Sequence, residues 1–135
     1  MQHSTAKQDA PPVVGVIDPD PVARSGLRTL LRGLGVDVST FDSAESYLLA
    51  ANGRSLACLI VDLLLPGMSG LELLRRLRSA GNDVPVILLA DESDVPTAVA
   101  AMREGATDFI EKPYVDVAVL KQVQKLLHSP PAAHA

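Results

Sequence analysis

Six consecutive apolar residues, Leu56, Ala57, Cys58, Leu59, Ile60 and Val61, end on a single carboxylate, Asp62. Leu63-Leu64-Leu65-Pro66-Gly67-Met68-Ser69-Gly70 follows, so a Pro-Gly turn signal closes the run. A stretch this short, with branched residues near its end, fits a strand covered on both faces. Such strands belong to parallel sheets flanked by helices, which keep their chemistry at the carboxyl ends of the strands. Asp62 would stand at that end. A lone carboxylate there is costly unless charge or metal compensates it; the plainer alternative is a turn or helix-capping aspartate.

The remainder of the chain alternates strand and helix. Residues 13–17 form a first buried strand, ending at Asp18-Pro19-Asp20-Pro21. Asp20 and Pro21 make an N-cap and first-turn pair for a helix reaching about Leu34, with Leu27, Leu30, Leu31 and Leu34 inward. Residues 36–41 alternate as a second strand, and Asp42-Ser43-Ala44-Glu45 opens a helix that Asn52-Gly53 stops. Ser69-Gly70-Leu71-Glu72 starts a helix with Leu71, Leu74 and Leu77 at apolar spacing. Residues 85–89 give a fourth strand, residues 94–102 an alanine-rich helix, residues 108–111 a fifth strand and residues 115–128 a last helix. Five alternations favour an α/β, doubly wound fold with a parallel sheet; if its order is 2-1-3-4-5, the flavodoxin-like (βα)5 arrangement, the first, third and fifth strand ends border one crevice.

Residues 1–12 read as a flexible tail and residues 129–135 as a Pro/Ala-rich tail or linker, leaving residues 13–128 as the folded domain. With 47% hydrophobic residues and only Phe41, Tyr47, Phe109 and Tyr114 aromatic, the core must be aliphatic. A net charge of −4 gives no electrostatic reason to bind nucleic acid. Cys58 is alone, which excludes a disulfide framework, and it reads as a small buried hydrophobe. No stretch reaches membrane-spanning length and the N-terminus lacks a signal-peptide core, so a cytoplasmic location without membrane contact is expected.

In the expected sheet Asp18, Asp62 and Lys112 converge on one crevice. Two carboxylates with an ammonium suit a divalent cation and a phosphate, with the Leu64 backbone carbonyl as a further oxygen for Mg²⁺. They equally suit a structural ion pair between Asp62 and Lys112. Asp62-Leu-Leu-Leu-Pro66-Gly-Met-Ser-Gly70 and Gly105-Ala-Thr-Asp-Phe-Ile-Glu-Lys112-Pro113 together resemble the receiver domain of two-component response regulators over roughly residues 13–128. Asp94-Val-Pro and Phe109-Ile-Glu-Lys-Pro are most similar to the nitrogen-fixation branch, whose members often carry a DNA-binding output domain after the receiver. The resemblance implies that Asp62 accepts a phosphoryl group from a histidine kinase or phosphotransfer protein. By the same resemblance Lys112 binds the phosphate, Phe109 is the aromatic switch residue, and Pro113 follows a cis bond. The domain would be a phosphoacceptor rather than an enzyme, capable at most of slow self-phosphotransfer and self-dephosphorylation. Receivers often form homodimers through the fourth and fifth helices, but no residue here fixes one.

Two positions depart from that pattern. Receivers place two adjacent acids after the first strand; here the second is Pro19, which has no oxygen to offer Mg²⁺, and Asp20 replaces it only by leaving the helix cap. The fourth strand ordinarily ends in Thr or Ser; here Ala90 stands there, removing a hydrogen bond to phosphate worth about 1.5–3 kcal/mol. Weakened Mg²⁺ binding and weakened switching are expected, with a phosphorylation-independent pseudo-receiver as the alternative. A remoter reading takes Asp18 and Asp20 as the acid pair of a haloacid-dehalogenase-like phosphohydrolase. Arg24, Arg28 and Arg32 form a basic stripe on the first helix, a solvated face or a dock for an acidic partner.

Overall fold

The computed structural model describes residues 10–50 and 55–128. Five strands, β1 (Val13–Ile17), β2 (Asp37–Phe41), β3 (Cys58–Asp62), β4 (Val86–Ala90) and β5 (Asp108–Glu111), alternate with five helices. These are α1 (Pro21–Arg32), α2 (Ala44–Ala50), α3 (Gly70–Ser79), α4 (Val95–Met102) and α5 (Asp116–Leu127), with a 3₁₀ turn at Glu92–Asp94 before α4. All pairings are parallel, as the alternation favours, and the strand order is the flavodoxin-like β2-β1-β3-β4-β5.

β3 and β4 are buried at every position, which explains their unbroken apolar sequences. One core layer joins Val61, Leu63, Leu73, Leu74, Leu77 and Leu88; the other joins Val14, Val16, Leu27, Leu31, Ile60, Leu89, Val119 and Val123. Cys58 is fully buried, and burial pushes its thiol up to about 12. Along α3 the covered side is Leu73, Leu74 and Leu77, with Leu71 only half-buried at its margin. α1 ends at Arg32 rather than Leu34, because Gly33 N–H donates back to the Leu30 carbonyl and Leu34 N–H to the Leu31 carbonyl, and the chain then turns at Gly35, whose φ is +80°. The helix stop expected at Asn52-Gly53, and most of both expected tails, lie outside the described residues. Among the described residues no helix is long and apolar enough to cross a membrane.

The basic stripe on α1 is not simply a solvated face. Arg24 Nη1 donates to the Asp18 carbonyl at 2.7 Å and Arg28 Nη2 to Thr40 Oγ1 at 3.0 Å, while Arg32 is exposed. The arginines therefore tie α1 to the loop after β1 and to β2.

Candidate functional site

β1 and β3 are adjacent, and the helices leaving them diverge, so a crevice opens at their carboxyl ends. Asp18, just past β1, is 1% exposed, and Asp62, the last residue of β3, is 6% exposed. Lys112, just past β5, is placed from two strands away. Its backbone N–H donates to the Ala90 carbonyl at 2.8 Å, extending the β4–β5 ladder by one residue. From there its ammonium donates to Asp62 Oδ2 at 2.9 Å. The Lys112–Pro113 bond is cis.

The other Asp62 oxygen, Oδ1, accepts from the Leu64 backbone N–H at 3.1 Å. The loop after Asp62 is held from both ends. Leu63 N–H continues the ladder onto Leu89 O at 2.8 Å, Gly70 N–H returns to Leu63 O at 3.0 Å, and Gly67 turns the chain at a φ of +75°. Ser69 and Glu72 form a reciprocal capping box that starts α3. Glu45, on α2, reaches across and accepts from Met68 N–H at 2.8 Å, a bond that holds its carboxyl below the usual carboxylate range.

Asp18 Oδ1 accepts from Asp20 N–H at 2.9 Å, whereas the buried Oδ2 has no partner. Burial raises the Asp18 carboxyl above its ordinary value; the Asp20 hydrogen bond opposes this and the charge of Asp62 adds to it. For Lys112, burial pulls the ammonium down, but the hydrogen bond and charge of Asp62, with Asp18 and Asp91, outweigh it and its pKa is raised. Asp20 is committed elsewhere: its Oδ1 caps α1 by accepting from Val22 N–H at 2.9 Å. Among the described residues no three acidic, imidazole or thiol side chains come together to hold a metal. The unpartnered oxygen of Asp18, within electrostatic reach of Asp62, nevertheless has the chemistry of part of a hard-cation site.

The crevice thus unites Asp18, Asp62 and Lys112, with the Leu64 N–H on the Asp62 carboxylate. Ala90 is buried and lends its carbonyl to Lys112, while Phe109 is half-buried against the core layer that also holds Ala90. Arg24 and Glu45, which fix the two loops bordering the crevice, carry no signal in the sequence beyond being charged residues near helix starts.

Because the raised carboxyl of Asp18 lies above its unfolded value, the folded state holds that proton more tightly, and stability falls as pH rises through the window between the two. Above that window the cost is fully present. Asp18→Asn should therefore raise stability at neutral pH by about 0.5–2 kcal/mol, with the gain shrinking as pH falls from the raised value toward the ordinary Asp value and absent below it. Urea unfolding at several pH values measures this, and a loss of stability at pH 7 would refute it.

The response regulator receiver domain family matches residues 14–124 of this chain. The transcriptional regulatory protein FixJ of Bradyrhizobium diazoefficiens is 38% identical over 119 residues, covering 87% of this chain and 58% of that protein. Among solved structures, full-length FixJ from B. japonicum superposes with a TM-score of 0.85 at 36% identity, over 93% of this chain and 62% of that one. The response regulator receiver protein from Pseudoalteromonas atlantica superposes with a TM-score of 0.79 at 37% identity, over 86% of this chain and 97% of that one. The chain spans somewhat over half the length of the curated relatives it matches. With that fold, that crevice and these matches, the chain belongs to the response regulator receiver domain family.

Proposed function

We propose that Asp62 accepts a phosphoryl group from a histidine kinase or phosphotransfer protein, and that this site takes it weakly. A P–O bond forms to a carboxylate oxygen of Asp62 as the P–N bond of the donor's phosphohistidine breaks. The observation that carries the reading is the Lys112 ammonium 2.9 Å from Asp62 Oδ2 in a buried crevice, placed to bind the phosphoryl oxygens as they arrive. Leu64 N–H, already on Asp62 Oδ1, keeps the carboxylate oriented.

Asp18, Asp62 and the Leu64 carbonyl would hold Mg²⁺, which when bound neutralises charge on the phosphoryl oxygens. Two carboxylates are a thin donor set, and Asp20 is occupied by its cap. Ala90 offers no hydroxyl to draw toward the phosphoryl group, so the coupling to Phe109 is weak. A switch shifts only by the difference in binding to its two states. These same features support a second reading, a pseudo-receiver that works through protein contacts without phosphate. Any output domain beyond the receiver, a homodimer, and residual self-phosphotransfer or self-dephosphorylation belong to this proposal too.

Intact-mass measurement after incubation with acetyl phosphate and Mg²⁺ tests it. Slow, incomplete addition of one phosphoryl group, absent in Asp62→Asn, is the expected result. Fast, stoichiometric labelling would overturn the weakened site, and no labelling under any condition would favour the pseudo-receiver.

A further inference from the structure

β2 is the open edge of the sheet: among the described residues it pairs with β1 alone. Asp37 N–H donates to Pro12 O and Phe41 O accepts from Asp18 N–H, so the odd-numbered residues of β2 bond inward. In a parallel ladder the alternate residues then turn their N–H and C=O the other way, which directs the main chain of Val38 and Thr40 to the free edge. Free edges of this kind are usually blunted by charged residues, proline or a bulge; Asp37-Val38-Ser39-Thr40-Phe41 has no proline or bulge, and its one charge, Asp37, stands at the strand's start and bonds inward.

A cleft of about 360 Å³ lies along this edge, lined by Arg28, Val38, Thr40, Phe41, Tyr47 and Leu56 among others. It straddles the sheet. Val38 packs with the layer beneath α1, and Thr40 is bonded to Arg28 of α1, whereas Phe41 and Tyr47 belong to the layer on the opposite face. Phe41 and Tyr47 meet edge to face with ring centroids 5.4 Å apart, giving that side a firm apolar wall. The other side carries a guanidinium that has spent one donor on Thr40 and retains more.

We infer that the β2 edge takes up an extended acidic polypeptide segment as an added strand. An extended chain sends alternate side chains to opposite faces. One set would reach the Phe41–Tyr47–Leu56 wall and the other Arg28, while its main chain pairs with Val38 and Thr40. The cleft therefore selects a segment in which apolar and acidic residues alternate. Charge decides the source of the strand. An antiparallel pairing with a second copy would bring that copy's own Arg28 to the same face, like charge against like, whereas an acidic partner is complementary. This surface lies apart from the Asp62 crevice and shares none of its charged residues.

The probe is a capped synthetic peptide, acetyl-Val-Glu-Val-Glu-Val-amide, titrated into the 135-residue chain. The readouts are backbone amide shifts and amide hydrogen exchange. Binding should shift and protect the Val38 and Thr40 amides. Thr40→Pro, which removes an outward N–H and no bond to β1, should weaken binding about tenfold or more, as should Arg28→Glu. Thr40→Ser, which keeps both the N–H and the hydroxyl that holds Arg28, should bind nearly as the parent does. Circular dichroism and unchanged amide shifts in β3 and β4 confirm that each variant is folded. Equal binding of a peptide with Lys in place of Glu would overturn the proposal, as would unperturbed Val38 and Thr40 amides at saturating peptide. Peptide-independent self-association abolished by Thr40→Pro would also overturn it, assigning the edge to a second copy.

Discussion

Pro19→Asp should bind Mg²⁺ about tenfold or more tightly than the parent chain, a change of at least about 1.4 kcal/mol. The residue follows Asp18 directly and is exposed, outside both β1 and the α1 cap, so its replacement disturbs no bond that the structure depends on. An added carboxylate about 4 Å from a cation gains several kcal/mol even at an effective dielectric near 20. Repulsion from Asp18 and Asp62 and the loss of its own hydration take back part of that. The comparison is cleanest by calorimetric titration of Mg²⁺, since the chain has no tryptophan to report binding. Acetyl phosphate labelling of Asp62 should quicken in parallel, and more so with Ala90→Thr added. If affinity is unchanged, the deficit in donors is not what limits the cation, and Asp18 or the Leu64 carbonyl is misplaced for it.

The second large effect is on stability. A Cβ added at Gly70 would stand 2.6 Å from the Asp62 carbonyl oxygen and 3.0 Å from Leu63 Cα. Both are main chain, one at the end of a strand buried at every position, so neither gives way cheaply. Gly70→Ala should cost about 1–3 kcal/mol despite alanine's better helix propensity, and lower the melting temperature by roughly 4 °C per kcal/mol. The same exchange at Gly26 is the control: it lies exposed within α1 and an added Cβ meets nothing within 4 Å. There a gain of about 0.5–1 kcal/mol is expected. Urea unfolding of the two variants should move in opposite directions. A Gly70→Ala protein as stable as its parent would mean that α3 can back away from β3 without cost. A Gly70→Ala protein that folds should also label more slowly, because its displaced carbonyl belongs to Asp62 itself.

Most of the fold was legible because each element states its own period: Val13–Ile17, Cys58–Asp62 and Val86–Ala90 are short apolar runs, and Asp20-Pro21 and Ser69-Gly70-Leu71-Glu72 are local start signals. Local signals are also why Asp62 and Lys112 could be placed, since each ends a strand whose position in the sheet follows from the alternation. Boundaries were less legible. Leu34 looked like a further inward leucine of α1, but Gly33 had already closed the helix. What no local pattern could convey was the contact of residues distant in the chain. Glu45 holds Met68 from 23 residues away, and Arg24 and Arg28 turn from a solvent stripe into ties only once α1 lies against β1 and β2. The orphaned oxygen of Asp18 is likewise a product of packing, visible only when its surroundings are assembled.

α2 is a single short rod of seven residues, and it carries Glu45 and Tyr47 two positions apart. Glu45 grips the loop that follows Asp62, and Tyr47 walls the cleft on the sheet's margin. A rod of roughly 10 Å thus joins the margin of the sheet to the Asp62 loop through two neighbouring side chains. A guest at the margin that tilts it would tug on the loop beside Asp62, and thermodynamic reciprocity makes any resulting change in affinity equal in both directions.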